Sequence, residues 1–226
     1  MSVSVLSRQN ILDRIRAATR CVSKDPQQLP DSYAALRRDY TRRGSLSSTA
    51  CIELMIERLR DYDVEVIEST KEQLTAAITS QLTASGISTL ATPSHLPHSW
   101  LAEGFDWIID RGLTIQQTEA VQGVVTAAVC GVADSGTIVL HHSLTEGRRA
   151  LTLLPDWHLC ILHTSQVVET FPEYFDRYHQ PPSLATWISG PSATADIEMT
   201  RIKGVHGPRF LHVILVHDHK PERNTN

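Results

Sequence analysis

Between Asp63 and Val216 the chain alternates short, β-branched apolar runs with longer stretches of helical spacing, and few folds accept that rhythm. Asp63–Glu68 alternates polar and apolar residues as a strand does. Lys71–Thr83 reads as a helix ended by Gly86, and Ile87–Ala91 as a strand before the proline-bearing loop Thr92–Pro97. Trp107–Ile109 is a short apolar run. Gly123–Val132 and Thr137–His142 are β-rich and flank Ala133-Asp134-Ser135-Gly136, which reads as a hairpin turn. Leu151–Leu154 and His158–His163 read as strands, Val167–His179 as a helix and Leu184–Ser189 as a strand. Ser192–Lys203 reads as a helix stopped by Gly204, and Phe210–Val216 as an apolar closing strand. Strands interleaved with helices predict an α/β fold, with a mostly parallel sheet, helices on both faces and an inserted β-hairpin. Ligands of such sheets favour the loops beyond the carboxyl ends of the strands.

Ahead of this α/β domain, assigned to residues 61–220, the first 60 residues read as a helical extension. A helix is expected over 5–20, a loop over 24–32, and a second helix from Ser47 or Ser48 with Ile52, Met55, Ile56 and Leu59 on one face. This extension carries 11 Lys/Arg against 6 Asp/Glu, whereas the remainder carries 10 against 19. The run Arg37, Arg38, Arg42, Arg43 suits phosphates or a solvated helix end. Only Tyr40 interleaves it, which argues against nucleic-acid binding. No run of about 18 apolar residues exists, so no membrane span is expected. Met1–Gln9 lacks the pattern of a secretory signal, and a cytoplasmic location follows as the expectation. Cys21, Cys51, Cys130 and Cys160 form no C-x-x-C pair, so no cluster or zinc site held by this chain alone is expected. Adjacent His141 and His142 point to opposite faces of a strand and chelate poorly, and His217 and His219 lie near the terminus. No metal site is therefore assigned.

Two segments carry most of the chemistry. In Gly190-Pro191-Ser192-Ala193-Thr194-Ala195-Asp196-Ile197-Glu198, Gly190 permits a tight turn, Pro191 stiffens it, and Ser192 or Thr194 can cap the following helix. Free N–H groups at such a helix start attract a carboxylate or phosphate, although Asp196 and Glu198 already answer the helix dipole. The same residues also suit a plain capped βα turn. In Gly204-Val205-His206-Gly207-Pro208, the glycines and proline hold His206 in a rigid turn, where an imidazole can serve as acid and base or as a structural group. A strand–helix–strand crossover through Ala193–Lys203 would put Gly190–Thr194 and His206 at opposite ends of the sheet.

Together these segments resemble the LutC/YkgG branch of the LUD domain. The resemblance extends upstream to Ala133-Asp134-Ser135-Gly136-Thr137, where the family carries Ala-Glu-Thr-Gly-Thr/Ser, and to Arg149 and Leu154-Pro155. It is specific over about residues 120–216 and looser before them. Asp134 is one methylene shorter than the family's Glu, which weakens any catalytic carboxylate role carried over from that hairpin. The resemblance implies a fold like the NagB/ribose-5-phosphate isomerase/CoA-transferase group. It also implies a part in oxidising L-lactate to pyruvate, with iron–sulfur clusters in partner proteins and no cofactor in this chain. The residues it raises are His206, Asp196 and Glu198 for catalysis, and Gly190, Pro191, Ser192, Thr194, Gly136, Thr137, Arg149 and Gly207 for binding a small carboxylate such as lactate. Two other functions fit the residues: a stand-alone acyl-transfer or isomerase enzyme, and a sensor of small carboxylates. The oligomeric state is left open.

Overall fold

The computed structural model describes residues 3–19, 35–37, 39–194, 202–203 and 206–218. The chain divides into two compact units, Met1–Tyr40 and Thr41–Asn226. The first unit holds helix α1 (Val3–Thr19), close to the helix expected over 5–20. Its Ile11 and Ile15 are about half exposed, and Asp13 pairs with Arg16 at 3.0 Å along one face. The loop expected over 24–32 lies outside the described residues.

The second unit begins its regular structure with α2 (Ser48–Asp61). Ser47 caps it, accepting the Ala50 N–H at 3.2 Å. Cys51, Met55 and Leu59 recur every four residues and are buried, so the helix is fixed by its core stripe. It ends where Asp63 turns left-handed at φ 60°, with Asp63 N–H donating to Arg60 O and Val64 N–H to Leu59 O. Aspartate is one of the few non-glycine residues that accept this conformation. The sequence groups α2 with the extension. In the structure it supplies core to the second unit.

The elements that follow are β1 (Glu65–Thr70), α3 (Leu74–Ala84), β2 (Thr89–Thr92), β3 (Asp106–Ile109), α4 (Ile115–Glu119), β4 (Gly123–Ala127), β5 (Cys130–Val132), β6 (Thr137–Leu140), β7 (Trp157–His163), β8 (Val167–Val168), α5 (Phe171–Arg177), β9 (Thr186–Ile188), β10 (Ala193–Thr194), β11 (Ile202–Lys203) and β12 (Phe210–His217). Six of them form a parallel sheet in the order β1-β12-β7-β4-β2-β3. Both faces are buried, as a parallel sheet requires. Cys160, Leu162, Val213 and Leu215 pack with α2 on one face, and Leu159, Ile161, Ile214 and Val216 pack with Leu74, Ile78 and Leu82 of α3 on the other.

The hairpin belongs to a second sheet, ordered β8-β5-β6-β9. Ile138 and Leu140 of β6 join the α2-side core, while Val132 and Val139 face Tyr174 of α5. The run expected as one strand, Gly123–Val132, serves both sheets. Ala128 N–H donates to Ile161 O of β7, and Val129 N–H, one residue on, donates to Val139 O of β6.

Three expectations need correction. Leu151–Leu154 is not a strand, since Arg149–Thr152 forms a 3-10 turn whose Leu151 plugs a small core. Val167–His179 is not one helix, because β8 precedes α5, which starts behind a Thr170–Glu173 capping box. The helix expected over Ser192–Lys203 is replaced at both ends by an antiparallel ladder pairing Ala193 with Lys203 and Thr194 with Ile202. Residues 195–201 and Gly204 lie outside the described residues.

Candidate functional site

A cavity of about 230 Å³ opens between the two sheets. Its floor is His158 and Leu211, the second residues of β7 and β12, so it lies at the amino ends of the parallel strands, not the expected carboxyl ends. The carboxyl ends of β1, β7 and β12 instead meet at Asp218, which accepts from Ser165 N–H, His163 Nδ1 and Lys71 Nζ, each at 3.0 Å. Burial pushes that carboxyl up, but the hydrogen bonds from Ser165, Lys71 and His163 together hold it well below the usual carboxylate range.

One wall is the chain leaving β9. Ser189 Oγ meets Thr137 Oγ1 at 2.7 Å, which ties the wall to the neighbouring strand β6. Gly190 follows at φ 85°, where a Cβ would stand 2.6 Å from Tyr62 Cβ. Pro191 and Ser192 continue the wall, and His206, Gly207 and Pro208 lie beside them. Ser192 N–H donates to Pro208 O at 2.8 Å, and His206 N–H to Ser192 Oγ at 3.3 Å. The two motifs therefore share one cavity. Separation by a crossover helix is overturned, because the antiparallel β10–β11 ladder returns the chain beside its own start.

Arg149 also lines the cavity. Its Nη1 donates to Thr186 Oγ1 at 2.6 Å. A guanidinium only donates, so the Thr186 hydroxyl proton is free for His142 Nε2, 2.7 Å away. His142 Nδ1 then donates to Gly147 O at 2.9 Å. His142 is held at φ 56°, a conformation few residues other than glycine adopt, so the local structure enforces its position. The buried Glu146 carboxylate organises the same loop, accepting from Ser143 Oγ at 2.6 Å and from the His141 N–H.

Of the residues singled out from sequence, Arg149, Gly190, Pro191, Ser192, His206 and Gly207 line the cavity. Gly136 does not. It packs against α2, where a Cβ would meet Arg58 Cβ at 2.8 Å. Thr137 is buried and acts on the wall through Ser189. Thr194 pairs in β10, and Asp196 and Glu198 lie outside the described residues. Sequence reasoning missed Thr186 and His158 and weighed His142 only as a metal ligand. Only His158 left a signal, as a basic ring inside the apolar run Trp157–Leu162.

Fold and cavity define an α/β protein whose parallel sheet and accessory β-sheet enclose a small polar site with a basic wall. The chain belongs to the LUD domain family, whose model matches residues 52–216. It is 34% identical over 178 residues to Lactate utilization protein C of Deinococcus radiodurans, covering 76% of this chain and 82% of that protein. It is 35% identical over 136 residues to Lactate utilization protein C of Bacillus subtilis, where the match spans 55% of this chain and 56% of the relative. Among solved structures it is similar to a DUF162 family protein from Deinococcus radiodurans. That similarity has a TM-score of 0.65 and 30% identity, and covers 76% of this chain and 99% of the other.

Proposed function

We propose that this chain is a component of an L-lactate utilisation system that oxidises lactate to pyruvate, working with iron–sulfur partner proteins. The relatives' names support the pathway, and the cavity's charge is the observation that carries the reading. Arg149 and His206 line it, and among the described lining residues there is no Asp or Glu, in a chain of net charge −4. A small carboxylate suits such a site. Electron transfer falls to the partners. Burial pushes the Cys130 thiol up to about 11 and the Cys160 thiol up to about 12.

In this reading Arg149 holds the carboxylate, and Gly190, Pro191, Ser192 and Gly207 shape its wall. His206, Asp196 and Glu198 are the candidates for moving protons. No described helix is long and apolar enough to cross a membrane. The test is to recover the tagged full chain from its native cell and assay the eluate for lactate-dependent dye reduction. Co-purifying iron–sulfur proteins, with activity lost in Arg149→Gln, are expected. A chain that recovers no such partner and turns over a CoA thioester alone would overturn the reading in favour of an acyl-transfer enzyme.

A further inference from the structure

His158 has a side chain of unusual placement. It is 1% exposed yet lines the cavity floor. Its Nε2 lies 2.8 Å from Oγ1 of Thr126, itself fully buried on the adjacent strand β4. Its Nδ1 has no hydrogen-bond partner among the described residues. Trp157 Nε1 is the described side-chain polar atom that is both sealed from solvent and without a partner. Nδ1 of His158 is therefore not sealed, and the space it meets is the cavity. A buried polar atom is rarely left without a partner unless something arrives to supply one.

Burial pushes the His158 pKa down to about 4, so the ring is neutral at physiological pH. Which nitrogen carries the proton depends on Thr126. The Thr126 hydroxyl has a second acceptor, Cys160 Sγ at 3.9 Å. When Thr126 donates to that sulfur, His158 Nε2–H donates to Thr126 and Nδ1 presents a lone pair. When Thr126 donates to Nε2, Nδ1 carries the proton and presents a donor. Rotation of that hydroxyl, together with exchange of the ring proton between Nε2 and Nδ1 through water in the cavity, thus matches Nδ1 either to an O–H or to a carbonyl oxygen.

We propose that His158 recognises the oxygen on carbon 2 of a small 2-hydroxy or 2-oxo carboxylate whose carboxylate group is held by Arg149. The inference rests on the reading of the cavity as a carboxylate site. It adds that the site distinguishes lactate and pyruvate from an acid without the 2-oxygen, and that it accepts both oxidation states. Arg149 is already tethered through Thr186, so one end of the ligand is held and the other is left for the floor. A neutral imidazole suits this task better than a cation, which could only donate.

The experiment titrates the full chain with L-lactate, pyruvate and propionate by calorimetry. Wild type is expected to bind lactate and pyruvate up to about tenfold more tightly than propionate, the scale of one neutral hydrogen bond. His158→Leu should bring both down to the affinity for propionate and leave propionate within about twofold. Arg149→Gln should lose all three. In wild type labelled with ¹⁵N-histidine, the His158 ring resonances should move with lactate and pyruvate but not with propionate, a readout that holds even if His158→Leu does not fold. A folded His158→Leu that keeps the preference, a wild type without one, or ring resonances unmoved by saturating lactate would overturn the role of His158 and leave the carboxylate reading standing. A wild type that binds none of the three acids would overturn that reading itself.

Discussion

Replacing Gly190 with alanine tests whether the cavity wall is built as described. Two penalties apply. An L-residue at φ 85° pays about 1–2 kcal/mol for the left-handed conformation. The new Cβ also stands 2.6 Å from Tyr62 Cβ and 3.1 Å from its Cγ, so the wall or the end of α2 must shift. Overpacking of this kind costs about 1–3 kcal/mol. Together they predict a loss of about 2–5 kcal/mol from a domain stability of roughly 5–15 kcal/mol. Gly86→Ala separates the two terms. Gly86 has φ 65°, but a Cβ there meets nothing within 4 Å, so only the conformational penalty applies. Urea unfolding of the two variants should place Gly190→Ala below Gly86→Ala by about 1–3 kcal/mol, with unchanged slopes. Equal losses would show that the Tyr62 contact is not tight. A Gly190→Ala within about 0.5 kcal/mol of wild type would refute the wall geometry altogether.

Thr186→Val keeps the shape but breaks the chain from Arg149 to His142. It should weaken lactate binding by about tenfold in calorimetry while shifting Tm by less than about 4 °C, because both partners are partly exposed. His158 gives a pH signature. Its folded pKa, about 4, lies below the unfolded value near ~6.5, so the unfolded state binds the proton first as pH falls. The stability is fully present above pH ~6.5 and about 3 kcal/mol is lost as pH falls toward ~4, and His158→Leu should flatten that part of a urea-midpoint profile. The thiols of Cys51, Cys130 and Cys160 are all pushed up by burial. Iodoacetamide at pH ~8, read by peptide mapping, should label them only after unfolding.

Strands of the parallel sheet such as Phe210–Val216 were legible because they are short apolar runs with turn residues before them. Failures came where one local pattern serves two structures. In Ser192–Lys203 a capping serine and acids in the first turn satisfy the rules for a helix, yet Thr194 and Ile202 are β-branched and pair across a ladder. Reading the ladder as a helix moved His206 to the wrong end of the sheet. Gly136 was visible as a turn glycine, but not its contact with Arg58 of α2, since no local pattern reports a neighbour far along the chain. The link between Thr186 and His142 was opaque for the same reason, being a hydrogen bond across 44 residues.

The position of the cavity explains why its cation needs such support. In a parallel sheet the crossover helices start beyond the carboxyl ends of the strands, so an anion bound there meets helix N-termini and their free N–H groups. At the amino ends no such field is available. The positive charge must come from side chains, and a long guanidinium in partly aqueous surroundings loses entropy when it is held still. Thr186 and the strained His142 pin it in advance, leaving the ligand less ordering to pay for. An anion site of this build depends on one charge rather than on a helix dipole. Its affinity should therefore fall with salt and collapse when Arg149 is neutralised, as a site made of backbone N–H groups would not.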